Sequence, residues 1–412
     1  MGNEFLEIKN PDDVKGIISN FQTIKKIEEV SIEDSLYRVL AEDIYATINL
    51  PPFRKVTMDG FAVISEDTFA ASEDDPVELK LLEVIGAGDV PEKIVKKGFC
   101  TEVGTGSPVP KGADAVVMVE YTTEEDGTIF IQESVTMGQN MAKEGSDIME
   151  GELLLKKETT INPEKIGVLS AMGLKTVPVY KKPQIAVIST GNELIRHDEE
   201  LRYGKIFDIN SQTISSAVTA CGCIPVKTEI VRDDYNELKR KLIECQDMDL
   251  IITSGGTSAG RGDVLRKVLD DLGEVLVHGI AVKPGKPTIV GRFDNNGVKK
   301  YVVGLPGNPV AAAMVFQLFF APFLKNMASI QSKSILNETK TVEIEISRRY
   351  RPAKGRRHYL LVKIDDNKAI PILKDSGAIT SLAEADGFIE IGKNVEIVEK
   401  GTMVTVYPLG NS

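Results

Sequence analysis

The sequence predicts a multidomain α/β and β protein, and three observations carry that expectation. After Lys181-Lys182-Pro183, buried strand-like runs alternate with helical segments, the pattern of a mostly parallel sheet covered by helices. Between residues 46 and 144 the chain breaks into short β-like runs divided by Gly and Pro clusters, and beyond residue 328 strands alternate with no helical period. A length of 412 residues also exceeds what one hydrophobic core serves.

Taken in order, residues 1–45 read as helical. Val14, Ile17, Ile18, Phe21, Ile24 and Ile27 recur at spacings of three and four, a second helix spans 32–44, and Ser31 with Asp34 forms a loose capping box for it. Pro51-Pro52 ends this section. Residues 46–144 form a β-rich inserted domain with strands such as Val77 to Ile85 and Ala115 to Val119, and the acidic run 72–75 is a solvated loop. The helical, turn-rich stretch 145–182 carries too little apolar surface for its own core, as does 1–45, so the two are taken as one discontinuous domain.

Residues 183–327 form the α/β domain, with strands at 184–189, 223–231, 248–253 and 300–304 and a helix at 211–220 stopped by Gly222. The longest apolar stretch, Pro309 to Leu324, is interrupted by Gln317 and falls short of the ~20 residues of a membrane span, which makes it a buried helix. Residues 328–412 form a small β-barrel or sandwich, with strands at 341–346, 359–364 and 395–398.

Composition narrows the function classes. A formal charge of −12 argues against a nucleic-acid binder. No cationic stretch followed by an apolar core opens the chain, and Leu6 argues against a myristoylation motif, so a cytoplasmic protein without a membrane partner is expected. Four cysteines are too few for a disulfide framework and point to a reducing compartment. Cys221-Gly222-Cys223 reads as structural, since His197, His278 and His358 are scattered and no second Cys pair exists.

In an open α/β sheet, ligands bind beyond the carboxyl ends of the strands, which gives priority to four loops. Thr190-Gly191-Asn192-Glu193 follows a buried strand and leaves Glu193 at the sheet edge. Ser254, Gly255, Gly256 and Ser258 lie in a run of small residues ending at Asp263, where backbone N–H groups at a helix start cradle phosphate without a lysine. The run is neither a Walker P-loop nor a Rossmann glycine register. Lys283-Pro284-Gly285-Lys286-Pro287 holds two lysines at fixed spacing for an anion. Gly304-Leu305-Pro306-Gly307-Asn308-Pro309 is either a shaped pocket wall or a plain turn.

Asp233 and Asp234 follow the strand 223–231 and share a sheet edge with Glu193 and Asp263, so a hard cation such as Mg²⁺ belongs among them. Alternatively the aspartates cap the helix that starts at Tyr235.

These segments, together with Pro51-Pro52-Phe53, Met58-Asp59-Gly60-Phe61-Ala62, Gly104-Thr105-Gly106-Ser107-Pro108 and Gly112-Ala113-Asp114-Ala115-Val116-Val117, resemble the molybdopterin molybdenumtransferase family, bacterial MoeA and the E domain of gephyrin. They occur in the family's order over nearly the whole chain. The resemblance implies a molybdopterin-binding α/β domain and a four-domain homodimer. It also implies an enzyme that takes adenylylated molybdopterin and molybdate as substrates and releases AMP as the metal is inserted, with Mg²⁺ assisting.

Carried over by motif position, Asp59, Thr105 and Asp147 act from the partner subunit's side, and Glu193, Asp233 and Asp263 act from the α/β side as catalytic and metal-holding groups. Thr190, Gly191, Ser254, Gly255, Gly256, Ser258, Lys283, Lys286, Pro306 and Pro309 line the pterin and phosphate pocket. Arg356, in the basic run 348–357, attracts molybdate or phosphate. A molybdopterin adenylyltransferase and apo-molybdoenzymes are the protein partners the family implies.

The chain departs from the family pattern at Val56, where Ser is usual, and at Ala142 and Ser146, which replace an Arg and a Glu. A non-catalytic gephyrin-like scaffold, or a paralogue that binds the pterin without insertion, is the competing expectation. The surrounding domains argue against a pterin adenylyltransferase, and the clustered carboxylates favour the enzyme over the scaffold.

Overall fold

The computed structural model describes residues 7–227, 229–255, 264–330 and 341–409. They fall into two compact units, Glu29–Pro178 and the remainder.

The unit Glu29–Pro178 is built on a six-stranded sheet in the order Ala115–Met118, Gly60–Val63, Phe99–Val103, Val77–Ile85, Thr128–Ile131, Thr122–Glu125. Successive residues serve opposite faces: Phe61, Val63, Ala115 and Val117 join one apolar cluster, while Ala62 and Val116 join another. The strands Gly60–Val63 and Ala115–Met118 are therefore buried on both faces, as their apolar runs require, while the edge strand Thr122–Glu125 is largely exposed. Residues 72–75 are exposed, as expected of a solvated acidic loop.

The helix expected over 32–44 does not form. Ser31 and Asp34 do make the capping pair, with the Ser31 hydroxyl donating to Asp34 at 2.8 Å, but it caps only a 3₁₀ turn, Glu33–Ser35. Tyr37 then adopts a left-handed φ of 58°, and Ile44–Tyr45 pairs with Leu153–Leu155 as a short ladder. The apolar residues that mimic a helical period are spent on these pairings.

In the other unit, the helix Pro11–Ser19 starts with Pro11 at its first position and Asn10 accepting from the Asp12 N–H at 3.2 Å. It stops at Ser19, short of the expected length, and leaves Ile24 and Ile27 exposed. Its inner residues Val14 and Ile18 join the α/β core, where Phe21 stacks on Tyr301 with ring centroids 3.9 Å apart.

The α/β sheet has six strands in the order Ile224–Lys227, Gln184–Ser189, Leu250–Ser254, Val298–Leu305, Ile289–Asn295, Gly273–His278. The first four run parallel, and Ile289–Asn295 is antiparallel to both of its neighbours, Val298–Leu305 and Gly273–His278. The strand expected over 223–231 is only Ile224–Lys227, with a single further rung between Thr190 and Val231. Asn296-Gly297, both at positive φ, closes the tight turn between two of these strands. The apolar run beginning at Pro309 is helical through Met327 with a π turn at Phe316–Phe320. Its length and composition would suit a membrane crossing, but 72% of it is buried in the core.

The C-terminal strands Arg357–Asp365, Lys368–Pro371, Val342–Ile346, Met403–Pro408 and Gly387–Ile391 close into a small barrel, because Gly387–Ile391 pairs back onto Arg357–Asp365. The expected strand at 395–398 is absent and only Val398 makes an isolated bridge, to Tyr350. Val282–Lys283 extends the barrel sheet by pairing with Arg357 and His358, which joins α/β sheet and barrel around one cleft.

Candidate active site

The parallel strands Gln184–Ser189, Leu250–Ser254 and Val298–Leu305 end in register, Ser189 beside Ser254 and Ser254 beside Leu305, so the loops that follow emerge together. They open into a cleft of about 1360 Å³ whose opposite wall is the barrel. Of the residues expected from sequence, Thr190, Glu193, Asp233, Ser254, Gly255, Lys283, Lys286, Pro306, Pro309 and Arg356 all line it. Gly191 sits just behind, its N–H donating to the Val231 carbonyl at 3.1 Å. Gly256, Ser258 and Asp263 lie outside the described residues.

One end of the cleft is acidic. The Glu193 carboxylate curls back over Gly191, where an added Cβ would meet its oxygens at 2.9 to 3.0 Å. The carboxyl of Asp233 titrates above the usual range, pushed up first by desolvation and then by the charge of Glu193, against the Asn192 N–H. Glu193 and Asp233 are two carboxylates of the kind that ligate a hard cation, and no group of three metal-ligating side chains occurs among the described residues. Asp234 points elsewhere: it caps the helix Tyr235–Glu244, accepting from the Glu237 N–H at 2.9 Å.

The floor is a polar network that local sequence reasoning missed. Asp208 accepts from the Ser189 hydroxyl at 2.8 Å and from the Ser211 N–H at 3.0 Å. Asn210 donates to the Ser254 hydroxyl at 2.7 Å and to the Gly307 carbonyl at 2.8 Å, which ties three loops together. The polar run Asp208-Ile209-Asn210-Ser211 ahead of a helix was the available signal. Gly255 is required here: its φ is +102°, and a Cβ would come within 2.1 Å of the Thr190 carbonyl oxygen. The Thr190 hydroxyl is buried and has no partner among the described residues.

The other wall is basic. Lys283, Lys286, Arg356 and Lys374 border it. Gly285, at φ +109°, lets the lysine loop lie hard against the apolar helix, since a Cβ there would meet Val315 at 2.2 Å. Tyr350, His358 and Ser376 also line this side and carry no local sequence signature.

In the unit Glu29–Pro178, Asp59 and Thr105 are brought together, with the Thr105 N–H donating to Asp59 at 2.6 Å and holding its carboxyl below the usual range. Asp147 is exposed, its N–H donating to the Leu50 carbonyl at 2.9 Å. Val56, one of the departures, is wholly buried in an apolar cluster, and its paired residue Met141 packs against the same cluster. The four cysteines are free and buried, in keeping with a structural Cys221-Gly222-Cys223.

Three family models match consecutive stretches: the MoeA N-terminal region (domain I and II) over residues 10–173, a probable molybdopterin binding domain over 186–326, and the MoeA C-terminal region (domain IV) over 343–409. A molybdopterin molybdenumtransferase of Bacillus subtilis is 33% identical, covering 97% of this chain and 95% of the relative. One from Staphylococcus aureus is 37% identical over 78% and 77% of the two chains. The crystal structure of a molybdopterin biosynthesis MoeA protein from Pyrococcus horikosii superposes with a TM-score of 0.85 at 37% identity, covering 98% of this chain and 99% of that one. From the amino-terminal helix to the closing barrel, the chain belongs to the MoeA family.

Proposed function

We propose that the chain is a molybdopterin molybdenumtransferase that inserts molybdenum from molybdate into adenylylated molybdopterin and releases AMP. The observation that carries this reading is one cleft lined by the carboxylates Glu193 and Asp233, by the floor residues Ser254, Gly255 and Asn210, and by the cationic side chains Lys283, Lys286 and Arg356. A substrate with a pyrophosphate between two ring systems suits a cleft that offers cationic side chains to its phosphates and carboxylates to a charge-neutralising cation.

In this reading the loop that begins at Ser254-Gly255 and runs through Gly256 and Ser258 cradles phosphate, with Thr190 and Gly191 beside it. Pro306 and Pro309 shape the wall against the pterin. The lysines and Arg356 offset phosphate and molybdate charge. Glu193 and Asp233, joined by Asp263, are the groups to hold Mg²⁺, which would supply charge neutralisation at the pyrophosphate bridge. The same carboxylates orient the attacking water. Asp59, Thr105 and Asp147 would complete the site from the second subunit of a homodimer. The enzyme is placed in the cytoplasm, receiving substrate from a molybdopterin adenylyltransferase and delivering product to apo-molybdoenzymes, and the four-domain division belongs to the same proposal.

The test supplies purified protein with adenylylated molybdopterin, Mg²⁺ and molybdate and measures AMP release and active cofactor. Glu193→Ala and Asp233→Ala should keep wild-type circular dichroism and lose roughly a hundredfold or more in AMP release. Near-wild-type release by either variant would remove the carboxylates from the chemistry.

A further inference from the structure

The basic wall holds a hydrogen-bonded pair that none of the roles above uses. His358 is 4% exposed and sits on the barrel strand beside Lys283. Its Nδ1 accepts from the Ala353 N–H at 3.3 Å, and its Nε2 lies 3.1 Å from the Tyr350 hydroxyl. A backbone amide can only donate, so Nδ1 must carry a lone pair. The ring is then neutral, and its one proton is on Nε2. Burial, and after it the charge of Lys283, favour that same neutral form.

Nε2–H consequently donates to the Tyr350 oxygen, and the phenol hydrogen cannot point back at the imidazole. Tyr350 has little freedom to turn away. Its backbone is pinned to Val398 by hydrogen bonds of 2.8 and 2.9 Å, and its ring meets the His358 ring edge-on at 5.4 Å. The phenol stays protonated at neutral pH, because burial raises its pKa further. Among the described residues its hydroxyl has no partner but His358, and Tyr350 is one of the residues that line the cleft together with Lys283 and Arg356.

The geometry points to Tyr350 as a binding residue that donates its O–H to an oxyanion in the cleft, with His358 as the positioning residue that aims it. The ligand chemistry is a tetrahedral oxyanion, a phosphate group or molybdate, already flanked by cationic side chains. A neutral donor adds direction where lysines supply charge without it. The assignment rests on the cleft being an anion site, as proposed above.

The experiment uses the full chain and two probes, AMP and molybdate, each titrated alone by calorimetry. Tyr350→Phe should weaken one of them about tenfold, as loss of a hydrogen bond to a charged group does, together with a modest fall in Tm because the buried His358 Nε2–H loses its acceptor. The probe affected identifies which oxyanion the hydroxyl meets. His358→Asn should weaken the same probe, and the double variant should be little worse than Tyr350→Phe alone, a non-additivity that a purely structural histidine would not give. Independently of any ligand, ¹⁵N spectra of the His358 ring at neutral pH should show Nδ1 unprotonated and Nε2 protonated.

A Tyr350→Phe protein that binds both probes like wild type overturns the assignment, as does an Nδ1–H tautomer or an imidazolium. If wild type binds neither probe, the anion-site reading of the cleft falls and takes this assignment with it.

Discussion

Replacing Gly255 by Ala tests whether the floor of the cleft is as tightly drawn as its geometry states. Two costs add. The left-handed φ of +102° penalises any Cβ by about 1–2 kcal/mol. The new Cβ would also stand 2.1 Å from the Thr190 carbonyl oxygen, well inside contact distance, and the blocking atom is backbone rather than a side chain that can swing aside. Thr190 must retreat, although its N–H donates to the Ser254 carbonyl at 2.9 Å. Losing that bond costs about 1 kcal/mol more.

The sum is about 2–3 kcal/mol, or a fall in Tm of roughly 4–12 °C at the ~2–4 °C per kcal/mol of a large domain. Gly297→Ala is the control, because its φ is +83° and nothing lies within 4 Å of the added atom. It should show the conformational cost alone. Differential scanning calorimetry on both variants, with AMP affinity measured beside it, decides the matter. If Gly255→Ala were no less stable than Gly297→Ala, the close approach of the two loops would be refuted.

Two further outcomes follow from the structure. Burial first and Lys283 second push His358 from 6.5 down to about 4, so the unfolded chain takes up this proton before the folded one as pH falls. Stability should therefore drop by up to about 3 kcal/mol between pH 6.5 and 4 and level off below, and urea titrations of wild type against His358→Asn should show a correspondingly smaller fall in the variant. Asp234→Ala removes the acceptor that caps the helix Tyr235–Glu244 and should cost about 1 kcal/mol while AMP release is retained.

Much of the fold was legible because its information is local. The strands at 184–189, 250–254 and 298–305 are apolar runs bounded by turn residues, and the order of their loops placed Glu193, Ser254 and Pro306 on one edge. What failed depended on distant partners. Ile44 is apolar because residues near Leu155 pair with it, and no window around residue 44 contains that fact. Asn210 and Ser376 escaped notice for the same reason, since their value lies in reaching Gly307 and Asn308 across the fold. Asp233 could be read either as a helix cap or as a site residue, and only coordinates divided those roles between it and Asp234.

The single rung between Thr190 and Val231 has a mechanical consequence. The main-chain bonds that flank it tie together the two strand ends that lead to Glu193 and Asp233, so neither of these loops can shift away from the other without breaking backbone hydrogen bonds. A substitution that loosens either bond therefore disturbs both acidic loops at once.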